Sequence, residues 1–294
     1  MINLMFCGND KVLDGMIISL LSIVKHCKKP LNVYILTMDL QEMNEKYKPI
    51  SKEQASILEK IITKVNKNSK LHLVDITRFF KEEMLNSANI NTHYTPYILV
   101  RLFSDKVESL PDKILYLDSD LVIYKNIETL YNMKIDDYDF AAAIDYIGQY
   151  FINKNYINSG VLLMNMKKMK EEKVFERCRK MVIEKRMLLP DQTALNKICK
   201  DKKYLPRKYN EQKERQEDTV IRHFSMTIKF IVHSTSKKKE LIKRHCAILK
   251  FLPYLKFLNV KPWNIEGIHE IYKIHDFDDI LEEYLNIKNE GEIK

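Results

Sequence analysis

The chain has 294 residues, 45% of them hydrophobic, with 12 Phe and 16 Tyr, which suits one large domain or a domain with an appendage and excludes a disordered chain. No apolar run approaches the ~20 residues that cross a bilayer, and Met1–Cys7 reaches Asn9-Asp10 before an export leader could form, so a cytoplasmic protein is expected. The net charge of +9 is uneven: 18 basic against 20 acidic residues over 1–150, 27 against 11 over 151–260, and 3 against 9 over 264–294, a basic middle that draws phosphate-bearing or anionic partners.

Short apolar runs alternate with longer amphipathic stretches through the first two hundred residues, which predicts an α/β fold with a mostly parallel sheet. In chain order the expected elements begin with strand Asn3–Cys7, helix Leu13–Lys25, strand Asn32–Leu36, helix Lys52–Val65 and strand Lys70–Ile76. Helix Thr95–Lys106 and strands Lys113–Leu117, Phe140–Ile144 and Gly160–Met164 follow, then helices Met169–Lys185 and Gln192–Cys199 and strand Thr219–His223. In the first helix Ile17, Leu20, Leu21 and Val24 recur at close to 3.6 residues. After His223 the texture turns basic and then acidic, broken at Pro253 and Pro262, which divides the chain into a main domain over 1–235 and a helical extension over 236–294.

Several chemistries are disfavoured by pattern. The six glycines form neither GxGxxG nor GxxxxGK[ST], so a dinucleotide or P-loop enzyme is not indicated. Five cysteines without a CxxC pair suggest neither a disulfide framework nor a thiolate zinc cluster. The aromatic–basic interleaving of nucleic-acid modules is missing, so no nucleic-acid partner is expected. The informative segment is Lys113–Ile123, where Asp118 and Asp120 follow an apolar strand at the end where open α/β sheets bind ligands. Carboxylates at i and i+2 leaving a strand can reach one divalent cation, and the same spacing also serves a turn capped by Asp side chains. A metal-dependent phosphohydrolase or nucleotidyltransferase could use the same pair.

Leu117-Asp118-Ser119-Asp120 resembles glycosyltransferase family 8, the group of glycogenin and the bacterial lipopolysaccharide glucosyl- and galactosyltransferases. Tyr156-Ile157-Asn158-Ser159-Gly160 through Asn165, Leu189-Pro190-Asp191-Gln192, Arg222-His223-Phe224 and Lys261-Pro262-Trp263 extend the resemblance in order over residues 1 to about 265. It implies a GT-A (Rossmann-like) fold, a UDP-sugar donor and Mn²⁺, with Mg²⁺ as the alternative cation. It further implies retention of anomeric configuration, and transfer of glucose or galactose to a saccharide of a cell-surface glycan or glycolipid, as in lipopolysaccharide biosynthesis.

Carried over by position, the resemblance makes Asp118, Asp120 and His223 the metal ligands, with Ser119 between the carboxylates in the donor site. A strand-end histidine with a backbone partner is the alternative for His223. Cys7, Asn9, Asp10 and Val12 would line the uracil, although Asn9 stands where an acid is common and Val12 where a stacking aromatic is common. Asn9 and Asp10 would otherwise form a strand-to-helix turn and cap. Arg101 would reach the donor sugar or ribose hydroxyls, or otherwise pair with a carboxylate, and Asp145 would contact the acceptor or the sugar. Asn158, Asp191 and Gln192 would hold the donor hexose by its hydroxyls, with Gln192 and Asp191 as the catalytic residues. The diphosphate lysine is Lys229 by its spacing from His223, or Lys261 by its Pro-Trp neighbours. Residues Lys237–Leu258 place Leu241, His245, Ile248 and Leu252 on one helical face with lysines opposite. That stretch either touches an anionic membrane at the inner face of the cell membrane or packs on the catalytic domain.

Overall fold

The computed structural model describes residues 1–90, 94–225 and 277–289. Its centre is a sheet built from short apolar runs: β1 (Ile2–Cys7), β2 (Leu31–Thr37), β3 (Lys70–Asp75), β4 (Lys113–Leu117), β6 (Phe140–Ala143), β7 (Val161–Asn165) and β8 (Lys202–Leu205), in the order β3-β2-β1-β4-β7-β6-β8. β1 pairs in parallel with β2 and β4, as do β2 with β3 and β6 with β8. β7 runs antiparallel to both β4 and β6. The chain steps outward from β1 to β3 and then returns to the other side of β1 as β4. The crevice at the carboxyl ends of β1 and β4 is therefore a switch point, where such sheets leave room for a ligand.

Alternation along the strands sends side chains to two cores. Leu4, Phe6, Val33, Ile35, Leu115 and Leu117 point to one face, which is covered by α1 (Leu13–His26) and α2 (Lys52–Val65). Met5, Leu36, Ile114, Tyr116, Leu162 and Met164 point to the other, beneath the 3₁₀ segment Pro96–Lys106, α7 (Val174–Glu184) and α8 (Pro190–Ile198). The start of α2 is secured by a reciprocal box in which Ser51 accepts from the Gln54 backbone and Gln54 accepts from the Ser51 backbone. A last helix, α9 (Asp278–Asn289), lies against α1 and buries Ile280, Leu281 and Tyr284 in the first core. Phe277, one residue before it, sits 5.8 Å from Phe224 between ring centres.

Most expected elements are present, with differences that have local causes. The stretch expected as one helix over Met169–Lys185 is two, α6 (Met166–Glu171) and α7, because Lys173 between them adopts φ 53°, a left-handed conformation no helix can pass through. Thr95–Lys106 is helical from Pro96 but winds as 3₁₀. Two strands were not legible. β5 (Leu121–Ile123) has only three residues, and β8 opens on half-buried Lys202-Lys203 at the edge of the sheet, a place where lysine discourages further pairing. Helix α3 (Thr77–Met84) and the single turns α4 (Glu128–Tyr131) and α5 (Gly148–Phe151) were also unforeseen. The expected strand Thr219–His223 shortens to β9 (Ile221–His223). Lys229, Lys261 and the amphipathic stretch 237–258 lie outside the described residues.

Candidate active site at the carboxyl end of the sheet

Asp118, Ser119 and Asp120 link β4 to β5, and β5 forms an antiparallel ribbon with β9 in which Leu121 faces His223. The Phe224 amide donates to the Asp120 carbonyl at 3.0 Å, so residues a hundred positions apart are held side by side by backbone pairing. His223 Nε2 stands 3.1 Å from Asp120 Oδ1 and 3.7 Å from Asp118 Oδ2. One ligand atom from each of the three residues falls within 4.8 Å of the others. Burial alone would raise the Asp120 carboxyl, yet the adjoining His223 holds it below the usual range. Burial would likewise lower His223, and Asp120 and Asp118 together hold it above.

Two hard carboxylates and one borderline imidazole, turned toward a common point, form a donor set suited to a divalent cation. The ring's seat supports that reading, because a Cβ on Gly160 would lie 2.2 Å from His223 Cε1. Only glycine leaves room for the imidazole beside the start of β7. A second acidic cluster, Asp139, Glu172 and Asp201, has a different character, since Lys168 Nζ already pairs with all three carboxylates.

Behind the cluster, Arg101 is buried in the 3₁₀ segment and every arm of its guanidinium is engaged. Nη2 donates to Asp118 Oδ1 at 2.7 Å, and Nη1 donates to the Ser159 carbonyl at 2.6 Å. Nε stands 3.2 Å from Asp191 Oδ2 as an ion pair without hydrogen-bond alignment. The guanidinium lies over the Tyr116 ring at 4.2 Å, and the Tyr116 hydroxyl donates to the same Asp118 oxygen. Among protein groups, Arg101 therefore sets the positions of Asp118 and Asp191. Burial pushes the Asp191 carboxyl up, against the pull of Arg101.

A connected network occupies the β6–β7 side. Asp145, just past β6, accepts from the amides of Ile147 and Gly148 at Oδ1, which starts the turn of α5. Its Oδ2 accepts from Asn158 Nδ2 at 2.9 Å and from Gln192 Nε2 at 3.2 Å. Gln192 Oε1 in turn accepts from the Ser159 amide at 2.9 Å. Asn210, which sequence reasoning missed, closes the network: Nδ2 donates to Asn158 Oδ1 at 2.9 Å and Oδ1 lies 3.2 Å from His223 Nδ1. Nothing in Tyr209-Asn210-Glu211 marks it from sequence, because its importance depends on partners 52 and 13 residues away. Tyr116 escaped notice for the opposite reason, since it reads as one more apolar strand residue.

At the end of β1, Cys7 adjoins Arg101 and Asp118, and burial pushes its thiol up. Asn9 is buried but makes no side-chain cap, and a 3₁₀ turn over Asp10–Val12 separates it from α1. The Asp10 amide donates to the Lys48 carbonyl at 3.2 Å, while Asp10 Oδ1 is buried with no hydrogen-bond partner. An unsatisfied carboxylate oxygen at the mouth of a switch-point crevice is an acceptor awaiting a donor. Val12 packs its methyls over Gly8, where a Cβ would come within 2.3 Å.

A mostly parallel sheet with a switch point, flanking helices, a C-terminal helix and an Asp-x-Asp–His cluster at the strand ends define a GT-A-type fold. The chain belongs to glycosyl transferase family 8, which matches it over residues 3–267. Lipopolysaccharide 1,2-glucosyltransferase of Escherichia coli is 30% identical over 177 residues, 55% of this chain and 50% of that one. Lipopolysaccharide glucosyltransferase WaaO of E. coli strain K12 is 30% identical over 162 residues, 49% of this chain and 46% of that one. The galactosyltransferase LgtC, solved with donor and acceptor sugar analogues, shares the fold at a TM-score of 0.60, with 18% identity over 82% of this chain and 94% of that one. The chain spans 62% or less of the length of the curated relatives it matches.

Proposed function

We propose that the protein transfers a hexose, glucose or galactose, from a UDP-sugar to a saccharide acceptor of a cell-surface glycan or glycolipid, with Mn²⁺ and with retention. The observation that carries this reading is the meeting of two sets of groups at one crevice: the Asp118, Asp120 and His223 cluster, and the buried polar residues Asp145, Asn158, Asp191 and Gln192. A bound cation would supply Lewis-acid neutralisation of the diphosphate leaving group. Asp10 and Asn9 would meet the uracil edge, with the orphaned Asp10 Oδ1 accepting from it. Asn158 and Gln192, whose amide nitrogens each carry a second hydrogen, would orient the hexose hydroxyls, with Asp145 positioning both amides.

Retention is supported by where the nearby carboxylates are already committed. Asp191 is paired with Arg101, and Asp145 accepts four hydrogen bonds, so neither is disposed as a free base or nucleophile. The Gln192 amide is a poor base. The departing diphosphate is then the natural acceptor of the incoming hydroxyl's proton, with Lys229 or Lys261 stabilising it electrostatically.

The test is a nucleotide-sugar screen with and without Mn²⁺. Release of UDP and free hexose, abolished by EDTA, supports the transferase; release of UMP and hexose 1-phosphate instead points to a phosphohydrolase. With an acceptor and an α-linked UDP-hexose, a β-linked product overturns retention. Among the described residues no helix is long and apolar enough to cross a membrane. A cytoplasmic protein held to the inner membrane face through 237–258 is the location that fits a glycolipid acceptor. Anionic vesicles should then sediment the protein at low salt and neutral vesicles should not.

A further inference from the structure

Asn210 lies between the 3₁₀ turn Arg207–Tyr209 and β9, fully buried, and touches both halves of the site. The direction of its hydrogen bonds is dictated from one end. A carboxylate only accepts, so the Asn158 atom 2.9 Å from Asp145 Oδ2 must be Nδ2. Asn158 Oδ1 is then the acceptor, and it also receives the Gly160 amide at 2.9 Å. Asn210 must present Nδ2 to that oxygen. Its own Oδ1 is left facing His223 Nδ1 at 3.2 Å, and an oxygen there calls for a proton on Nδ1.

We propose that Asn210 is a positioning residue that relays the polarity of Asp145 to His223, keeping a proton on Nδ1 so that Nε2 is the ring nitrogen left for a cation shared with Asp118 and Asp120. The proposal rests on reading those three residues as a cation site. Without an acceptor at Nδ1 a neutral ring is free to carry its proton on Nε2, which faces carboxylate oxygens at 3.1 and 3.7 Å, and that tautomer cannot coordinate through Nε2. All four members, Asp145, Asn158, Asn210 and His223, are buried, so water does not compete for the bonds. The relay couples the hexose array to the cation site through two amide side chains.

The experiment is a Mn²⁺ titration in the presence of UDP, read by the electron paramagnetic resonance of free Mn²⁺. Asn210→Ala should bind Mn²⁺ roughly 10–100-fold more weakly than wild type, the usual cost of removing a ligand's outer partner. Asn210→Asp keeps an oxygen opposite Nδ1 while losing the donor to Asn158 Oδ1, and should fall between Asn210→Ala and wild type. A role confined to packing predicts the reverse order, because a buried extra charge perturbs the fold more than a small cavity does. Folded Asn210→Ala within twofold of wild type, or Asn210→Asp weaker than Asn210→Ala, overturns the proposal. Nitrogen-15 NMR of wild type loaded with Mg²⁺ and UDP supplies a test independent of any variant's folding. A slowly exchanging proton on His223 Nδ1 is expected, and its absence overturns the relay. Wild type that binds no Mn²⁺ overturns the cation-site reading itself, whereas wild-type binding with unaffected variants overturns the relay alone.

Discussion

Gly160 has no side chain because the imidazole of His223 occupies the space, with ring atoms 2.2 to 2.9 Å from where a Cβ would stand. Backbone pairing to Glu211 and Asp120 fixes β9 on either side of the ring, so His223 cannot retreat without breaking the ribbon. Gly160→Ala is therefore expected to abolish Mn²⁺-dependent UDP binding while the far-ultraviolet circular dichroism stays native-like; unaltered binding would show that the ring can move. The two aspartates differ in a way their shared motif hides. Asp120 meets His223, whereas Asp118 also anchors Arg101 and Tyr116. Both Asp→Asn variants should lose Mn²⁺-dependent UDP binding, measured calorimetrically. Asp118→Asn alone should also lose about 1–3 kcal/mol of stability in urea, because a buried guanidinium keeps only part of its partnership.

At the scale of elements, the 3₁₀ segment and α7 are joined by a charged cluster under the second core. Arg179 on α7 is 2% exposed, donates to Glu83 Oε2 at 2.6 Å and forks onto Asp105 at 2.5 and 3.0 Å. Burial would raise Glu83, but Lys106 and Arg179 outweigh it and hold the carboxyl below its ordinary value of 4.5. A carboxylate with a depressed folded pKa stabilises the fold fully above its unfolded pKa, and that contribution fades as pH falls through the folded value. Glu83→Gln should accordingly lower stability at neutral pH and flatten its decline below about pH 4.5, as read from urea midpoints. A parallel loss at every pH would show that Glu83 contributes by shape alone. The split of α6 from α7 belongs to the same scale: amphipathic periodicity runs through Met169–Lys185, and the left-handed Lys173 interrupts it where the chain turns.

At the scale of the molecule, α9 belongs to the same core as α1 although more than 250 positions separate them. α9 buries Leu281 and Tyr284 against α1, and Lys25 pairs with Asp279. Acidic residues of α9 face lysines of α1 and α2: Asp279 meets Lys25, and Glu283 stands 3.8 Å from Lys64. Surface ion pairs of this sort contribute little, so the apolar face carries the docking. Leu281→Ala should cost about 2–5 kcal/mol in chemical denaturation, with Mn²⁺-dependent UDP binding retained by the folded fraction. A negligible loss would mean that α9 rests on α1 without stabilising it.

The sequence by itself determined the α/β rhythm, seven of the strands, the extent of the longer helices and the Asp-x-Asp motif, because period and local composition record which face of each element meets a core. It named Asn158, Asp191, Gln192 and His223 through resemblance, without showing what holds them. Only the tertiary structure brought Asp120 beside His223, through a three-residue strand too short to leave a pattern. Only it revealed that Arg101 spans Asp118 and Asp191, and that Asn210 joins the hexose array to the imidazole. Those relations depend on hydrogen bonds between residues 13 to more than 100 positions apart, and a local pattern carries no record of a partner that chain folding alone supplies.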